Sequence, residues 1–229
     1  MKHALIIGNS DGIGLELTRS LLQEGYNVIG ISKRVSPVDR RDYEHFVQDV
    51  TEPGYRELLS KILSDHPELF LCVYCAGIGD QLRFDDLAFE TRVFAVNLMS
   101  AAVTTEVVLG HMIQKNEGHF IGLSSIADGL TSAQSPSYNA SKAGISRYWE
   151  GLALALAGKK VKITNIRFGF VDTKMAKSDF KPLMLSVPEA VNVIRKAIRK
   201  PRLRVTKPYA MAVLVWVIER VIHLKLLFS

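Results

Sequence analysis

Short apolar runs alternate along this chain with stretches whose apolar positions recur every three or four residues. Residues 4–7 form an uninterrupted apolar run closed by Gly8, which suits a strand of a parallel sheet covered on both faces. Ile13, Leu17 and Leu21 then fall at one-turn spacing before Gly25, the pattern of an amphipathic helix with a glycine stop. Further strands are expected at 27–32, 45–49, 69–75, 119–124 and 162–168, with a long helix over 84–115. Strands and helices alternate throughout, which predicts an α/β fold: a doubly wound parallel sheet of about seven strands, with helices on both faces. No internal repeat or low-complexity tract interrupts it.

Composition narrows this picture. A chain of 229 residues, 48% of them hydrophobic, can bury one good core but is short for two, so residues 1–229 are expected to form a single domain. The net charge of +6 has one local concentration, Arg195, Lys196, Arg199, Lys200, Arg202, Arg204 and Lys207. No aromatic residue is interleaved with these cations, which argues against nucleic acid and for a solvated helix face followed by an edge strand. Cys72 and Cys75 have C-x-x-C spacing, but on a strand positions three apart point to opposite faces and cannot easily share a metal or a disulfide. Six scattered histidines show no metal-ligand spacing, so no metal is expected. The start of the chain does not read as a signal peptide, and the cytoplasm is the expected compartment.

Chemistry concentrates at two places. The first is Gly8-Asn9-Ser10-Asp11-Gly12-Ile13-Gly14, between the first strand and the first helix. Glycines there let backbone approach a ligand closely, and a helix start attracts a pyrophosphate. The spacing is G-x-x-x-G-x-G, not G-x-G-x-x-G. At the end of the second strand, where such folds read the adenosine ribose, stand Lys33 and Arg34. An acidic residue would bind a ribose 2′-hydroxyl, whereas two cations attract a 2′-phosphate, so the chain leans to NADP(H) over NAD(H). The second place is Tyr138-Asn139-Ala140-Ser141-Lys142, just after Pro136. On a helix the phenol and ammonium share a face, and the lysine charge would favour the phenolate.

Taken together, these residues resemble the short-chain dehydrogenases/reductases over nearly the whole chain. The resemblance rests on Gly8, Gly12 and Gly14; Asp49-Val50-Thr51; Ala76-Gly77; Val96-Asn97-Leu98; Ser125; and Tyr138 with Lys142. Ser125 lies thirteen positions before Tyr138, the separation the family shows, which selects it over Ser124. The resemblance implies a Rossmann-type fold and an oxidoreductase in which Tyr138 exchanges a proton with the substrate oxygen as the nicotinamide exchanges hydride. Lys142 would lower the tyrosine pKa and hold the nicotinamide ribose, Ser125 would hydrogen-bond the substrate oxygen, and Asn97 would hold a water in a proton relay. Asp49 and Val50 would lie at the adenine, with Ser10, Asp11, Ile13, Ala76 and Gly77 also around the cofactor. Val171 and Thr173 would approach the carboxamide.

Three departures stand out: Ile7 before the first glycine, Tyr74-Cys75 before Ala76-Gly77, and Phe168 before Gly169. None removes a reacting group, but each implies altered bracing of the cofactor loop. The stretch 174–187 carries Met175, Phe180, Leu183, Met184 and Leu185, which suggests either an apolar pocket closing over a small-molecule carbonyl or alcohol substrate or ordinary packing on the body, and leaves substrate size open. At 209–228 the chain is expected to form an apolar helix, and Ala210 to Ile218 carry no charge. Nine such residues are too few to span a bilayer, for which about 20 are needed, so the helix is expected to bury itself in the fold, in a homodimer or homotetramer interface, or at a membrane surface. A noncatalytic NADP(H)-binding sensor or scaffold on the same fold is the alternative, since fold alone never establishes activity.

Overall fold

The computed structural model describes residues 2–176 and 181–227, the last three of these by backbone alone. Its strands are β1 (His3–Ile7), β2 (Asn27–Ser32), β3 (Tyr43–Val47), β4 (Leu69–Tyr74), β5 (Gly118–Ser125), β6 (Val161–Phe168) and β7 (Arg204–Lys207). The helices are α1 (Gly12–Gln23), α2 (Tyr55–Asp65), α3 (Ala88–Phe94), α4 (Ser100–Lys115), α5 (Pro136–Ala155), α6 (Val187–Arg199) and α7 (Tyr209–Leu227). All strands pair in parallel, in the order β3-β2-β1-β4-β5-β6-β7. The chain reverses its direction of travel across the sheet between β1 and β4, and the crevice outside the carboxyl ends of the strands at such a point is where α/β sheets bind ligands.

The apolar runs are continuous because the sheet is buried on both faces. Along β1, Leu5 and Ile7 join a cluster with Tyr55, Leu59, Val108 and Trp149, while Ala4 and Ile6 join another with Leu17, Leu21 and Ile194. Cys72 and Cys75 divide in the same way, the first packing in one cluster and the second against the other. Both are free thiols. Burial raises both, Cys75 to about 12, which leaves neither with thiolate reactivity.

Several boundaries differ from the sequence pattern. The third strand is Tyr43–Val47, two residues earlier than 45–49, because its pairing with β2 starts at Tyr43; Asp49 consequently lies beyond the strand end. Strand β4 stops at Tyr74, while β5 and β6 are each longer than expected, pairing from Gly118 with Val161 to Ser125 with Phe168. The helix expected over 84–115 starts at Ala88 and is broken by a π-helical turn, Ala95–Met99, between α3 and α4. Such turns carry no apolar period of their own and often mark functional sites.

Candidate active site

The phosphate-facing side of the crevice is built by the loop between β1 and α1. Gly8 has φ +85°, and a Cβ there would lie 2.6 Å from the Ala76 backbone nitrogen. A Cβ on Gly14 would lie 2.1 Å from the Gly8 carbonyl oxygen. Neither position tolerates a side chain, so the loop folds back tightly on the start of α1, whose first amides have no partner within the helix. Asp11 caps that helix by accepting from the Gly12 amide at 2.8 Å. Its other oxygen accepts from Lys174 Nζ at 2.7 Å and faces Arg34 at 3.5 Å. The Lys174 hydrogen bond is the main reason the carboxyl lies below its usual range.

A braced polar chain lies under this loop. Asn9 is fully buried; its amide donates to the Tyr43 hydroxyl at 2.5 Å, and Tyr43 in turn meets His45 Nδ1 at 2.9 Å. His45 Nε2 lies 3.1 Å from the Arg34 carbonyl, which closes a path from the glycine loop to the cations after β2. Asn9 Oδ1 has no hydrogen-bond partner among the described residues. The side-chain-free cradle at Gly8 and Gly14, set against a helix start whose first amides lack partners within the helix, fits the pyrophosphate of a bound dinucleotide. Lys33 pairs with Asp49 at 3.0 Å and remains 78% exposed, so both predicted 2′-phosphate cations stand at the rim.

The opposite side of the crevice is buried and more densely bonded. Tyr138 and Lys142 leave the same face of α5, with Nζ 5.8 Å from the ring centroid. Lys142 donates to the Leu123 carbonyl at 3.1 Å. Burial pushes this lysine down to about 8, against the pull of Asp128 and Cys75. Tyr138 lies above its ordinary value, not below it: burial dominates, a hydrogen bond with Ser125 opposes it, and the Asp128 charge adds to it. The spacing of the pair alone suggested the reverse, because it carries no information on desolvation.

Ser125 sits at the carboxyl end of β5, donating to the Phe168 carbonyl at 3.2 Å and accepting from the Ala127 amide at 3.1 Å. Asn97 lies in the π-helical turn and is 1% exposed. It clamps Ile78 from both sides, donating to its carbonyl at 2.8 Å and accepting from its amide at 2.9 Å, and also donates to Ser141 Oγ at 3.2 Å. The Tyr74 hydroxyl donates to the Val96 carbonyl at 2.7 Å, so one of the departing residues anchors the turn that carries Asn97. Ile7 and Phe168 are buried as ordinary core residues.

The two sides meet at Gly77. A Cβ there would lie 3.4 Å from Asn97 Oδ1, 3.6 Å from Lys142 Nζ and 3.8 Å from Met175 Cε. On Gly12 it would lie 3.4 Å from Thr173 Cγ2, which puts Thr173 beside the glycine loop. Val171 is buried and bridges to Leu185. Ile13, Val50 and Ala76 pack against the core clusters that floor the crevice. Of the expected apolar lid, Met175 reaches the site, Leu185 packs into the core, and Leu183 and Met184 are exposed. Phe180 lies outside the described residues.

Three contributors escaped the sequence. Gly79 packs against Tyr138 so closely that a Cβ would lie 2.6 Å from the ring; the second glycine of Gly77-Ile78-Gly79 was its signal. Lys174 joins Asp11 across 163 positions, a separation no local pattern reveals. Asp128 pairs with Arg167 and accepts from Ser146 at 2.6 Å, and Ser146 meets Ser124 at 2.6 Å.

With fold and crevice in view, the class of the protein is defined. Residues 2–183 match the short chain dehydrogenase family, and the chain belongs to it: an oxidoreductase of a family that binds NAD(P). Over 226 residues it is 29% identical to an uncharacterized oxidoreductase of Myxococcus xanthus, covering 93% of this chain and 89% of the relative. It is 28% identical over 221 residues to a cis-4-hydroxycyclohexanecarboxylate dehydrogenase of Sinomonas cyclohexanicum, covering 91% and 85%. A short chain dehydrogenase from Burkholderia cenocepacia, solved in complex with NADP, superposes with a TM-score of 0.81 at 23% identity, covering 93% and 91%.

Proposed function

We propose that this protein is an NADP(H)-dependent carbonyl reductase or alcohol dehydrogenase in which Tyr138 is the acid/base. The observation that carries the proposal is the convergence of the buried Ser125, Lys142 and Asn97 with the half-buried Tyr138 on one wall across from the glycine loop. The bound cofactor supplies or accepts the hydride. The backbone of Gly8, Gly12 and Gly14 would receive its pyrophosphate, with Ser10, Asp11 and Ile13 around it and the Asp11 carboxylate holding the helix start and Lys174; Lys33 and Arg34 would hold its 2′-phosphate, and Asp49 and Val50 would lie at its adenine. Ala76, Gly77, Val171 and Thr173 line the path to the nicotinamide, with Tyr138 and Lys142 at its ribose.

Burial raises the Tyr138 phenol above its ordinary value, which suits the reductive direction, where its proton passes from the phenolic oxygen to the substrate oxygen. The phenolate then left is stabilised by the nearby Lys142 ammonium, while the single Ser125 proton, held by the Phe168 carbonyl in the free protein, turns to the substrate oxygen. Asn97 keeps a second lone pair on Oδ1, beyond the one held by Ile78, to receive a water in the proton route. The cytoplasm is the proposed compartment. Exposed Ile113, Tyr148 and Leu154 on α4 and α5 support self-association, which sedimentation velocity reads directly.

A panel of carbonyl compounds and alcohols assayed with NADPH and NADH tests the function. Turnover with faster NADPH oxidation is expected. Faster NADH oxidation overturns the assignment of Lys33 and Arg34, and nucleotide binding with no hydride transfer across the panel favours the sensor or scaffold reading.

A further inference from the structure

Helix α7 inverts the usual arrangement of a surface helix. It meets the body through Met211 and Val215, which pack with Ile126 beside Leu130 and Phe170. Glu219, one turn further along the same stripe, accepts from the Thr131 amide at 2.7 Å and hydroxyl at 2.9 Å. The outward face is the more apolar one: Tyr209 is 71% exposed and Trp216 59%, and Val213, Leu214, Val217, Ile218, Val221 and Leu224 are exposed with them. An apolar face of this extent, interrupted only by Arg220 and His223 among the described residues, marks an interaction surface.

Its charges select the occupant. Glu219 is the single acidic residue of α7, and it is spent on the body. Arg220 lies on the outward side, its guanidinium 5.4 Å from the Trp216 ring centroid, and the exposed Lys207 precedes the helix. A second copy docked about a two-fold axis would bring like charges together with no acid on α7 to pair them. Anionic lipid headgroups pair with both cations, while the apolar row enters the acyl boundary and Trp216 and Tyr209 sit at headgroup depth. The inward stripe ties the helix along the protein surface, a geometry suited to lying on a bilayer and not to crossing it.

We propose that α7 docks the protein on an anionic membrane surface. The turn α7 packs on, Ile126–Gly129, directly follows Ser125, so docking turns that edge of the crevice toward the lipid.

The protein has two tryptophans, Trp149, which is 1% exposed, and Trp216, which makes docking visible without cofactor or substrate and independent of catalysis. The full chain is mixed with vesicles of phosphatidylcholine alone or with added phosphatidylglycerol. Expected are sedimentation with the anionic vesicles, weakened by salt, and a blue shift of the emission. Trp216→Phe abolishes the blue shift while sedimentation persists. Arg220→Glu weakens anionic binding about fivefold or more, the scale of one cation at a charged surface. Val213→Ser with Val217→Ser and Val221→Ser abolishes binding, with the circular dichroism spectrum retained. Absence of sedimentation with either vesicle overturns the proposal. So does a fall in solution molar mass caused by the triple serine variant, which would assign the face to a second copy.

Discussion

The two sides of the crevice are built on opposite electrostatic terms. Around the glycine loop the charged groups stand at the rim, Lys33 78% and Arg34 67% exposed, each paired with a carboxylate of the same crevice. Around Tyr138 the polar groups are buried, and each is held by a named partner. Water screens the first set, so its contribution to binding is modest and separable residue by residue. The second set acts in low dielectric, where a displaced or unpaired group is costly. On the proposed function, changes on the cofactor side would alter cofactor selectivity and changes on the buried side would alter the reaction itself.

Changes on the buried side should have the largest effects. Lys142→Met is expected to lower kcat by about 10²–10⁴-fold, the range for losing assistance to proton transfer. The same variant tests the burial of the charge. Lys142 lies at about 8 instead of 10.5, so between those values the unfolded chain binds more protons than the folded one and stability rises with pH. Because the thiols and phenols raised by burial contribute the opposite slope above about pH 9 in both proteins, the readout is the difference: the stability of wild type relative to the variant should rise between about pH 8 and 10.5. Gly79→Ala is expected to reduce kcat by up to about 10²-fold by shifting the tyrosine ring, with the fold intact by circular dichroism. A fully active Gly79→Ala enzyme would show that Tyr138 does not need its present position.

The rim should respond more gently. Replacing both Lys33 and Arg34 with Ala is expected to shift the kcat/KM preference for NADPH over NADH by about tenfold, since exposed charge pairs each contribute ~0.2–1 kcal/mol. An unchanged ratio would remove the rim from cofactor choice. The smallest effect is expected from Tyr74→Phe, which removes the hydrogen bond to Val96 and costs ~1 kcal/mol of stability or a few-fold in kcat.

How legible each side was in the sequence follows the same division. The glycine loop, Lys33, Arg34, Tyr138 and Lys142 are local patterns, read from spacing along one or two elements, and the doubly buried strands are continuous apolar runs. The braces are long-range. Asn9 meets Tyr43 across 34 positions, Asp128 meets Arg167 across 39, and no periodicity links either pair. The π-helical turn accepts a hydrogen bond from Tyr74 across 22 positions, and the spacing of Tyr138 and Lys142 did not disclose that burial would raise the phenol. The apolar stretch forms a helix over Tyr209–Leu227, and which face it buries became visible only with Ile126 beneath it.

The central claim is that Tyr138 transfers the proton in a site that holds NADPH independently of it. The direct measurement is NADPH affinity by fluorescence titration alongside carbonyl reduction, for wild type and Tyr138→Phe. An affinity within a few-fold of wild type with reduction abolished is the result expected of a group acting in the chemical step alone. Reduction by Tyr138→Phe at a rate near wild type would contradict the account.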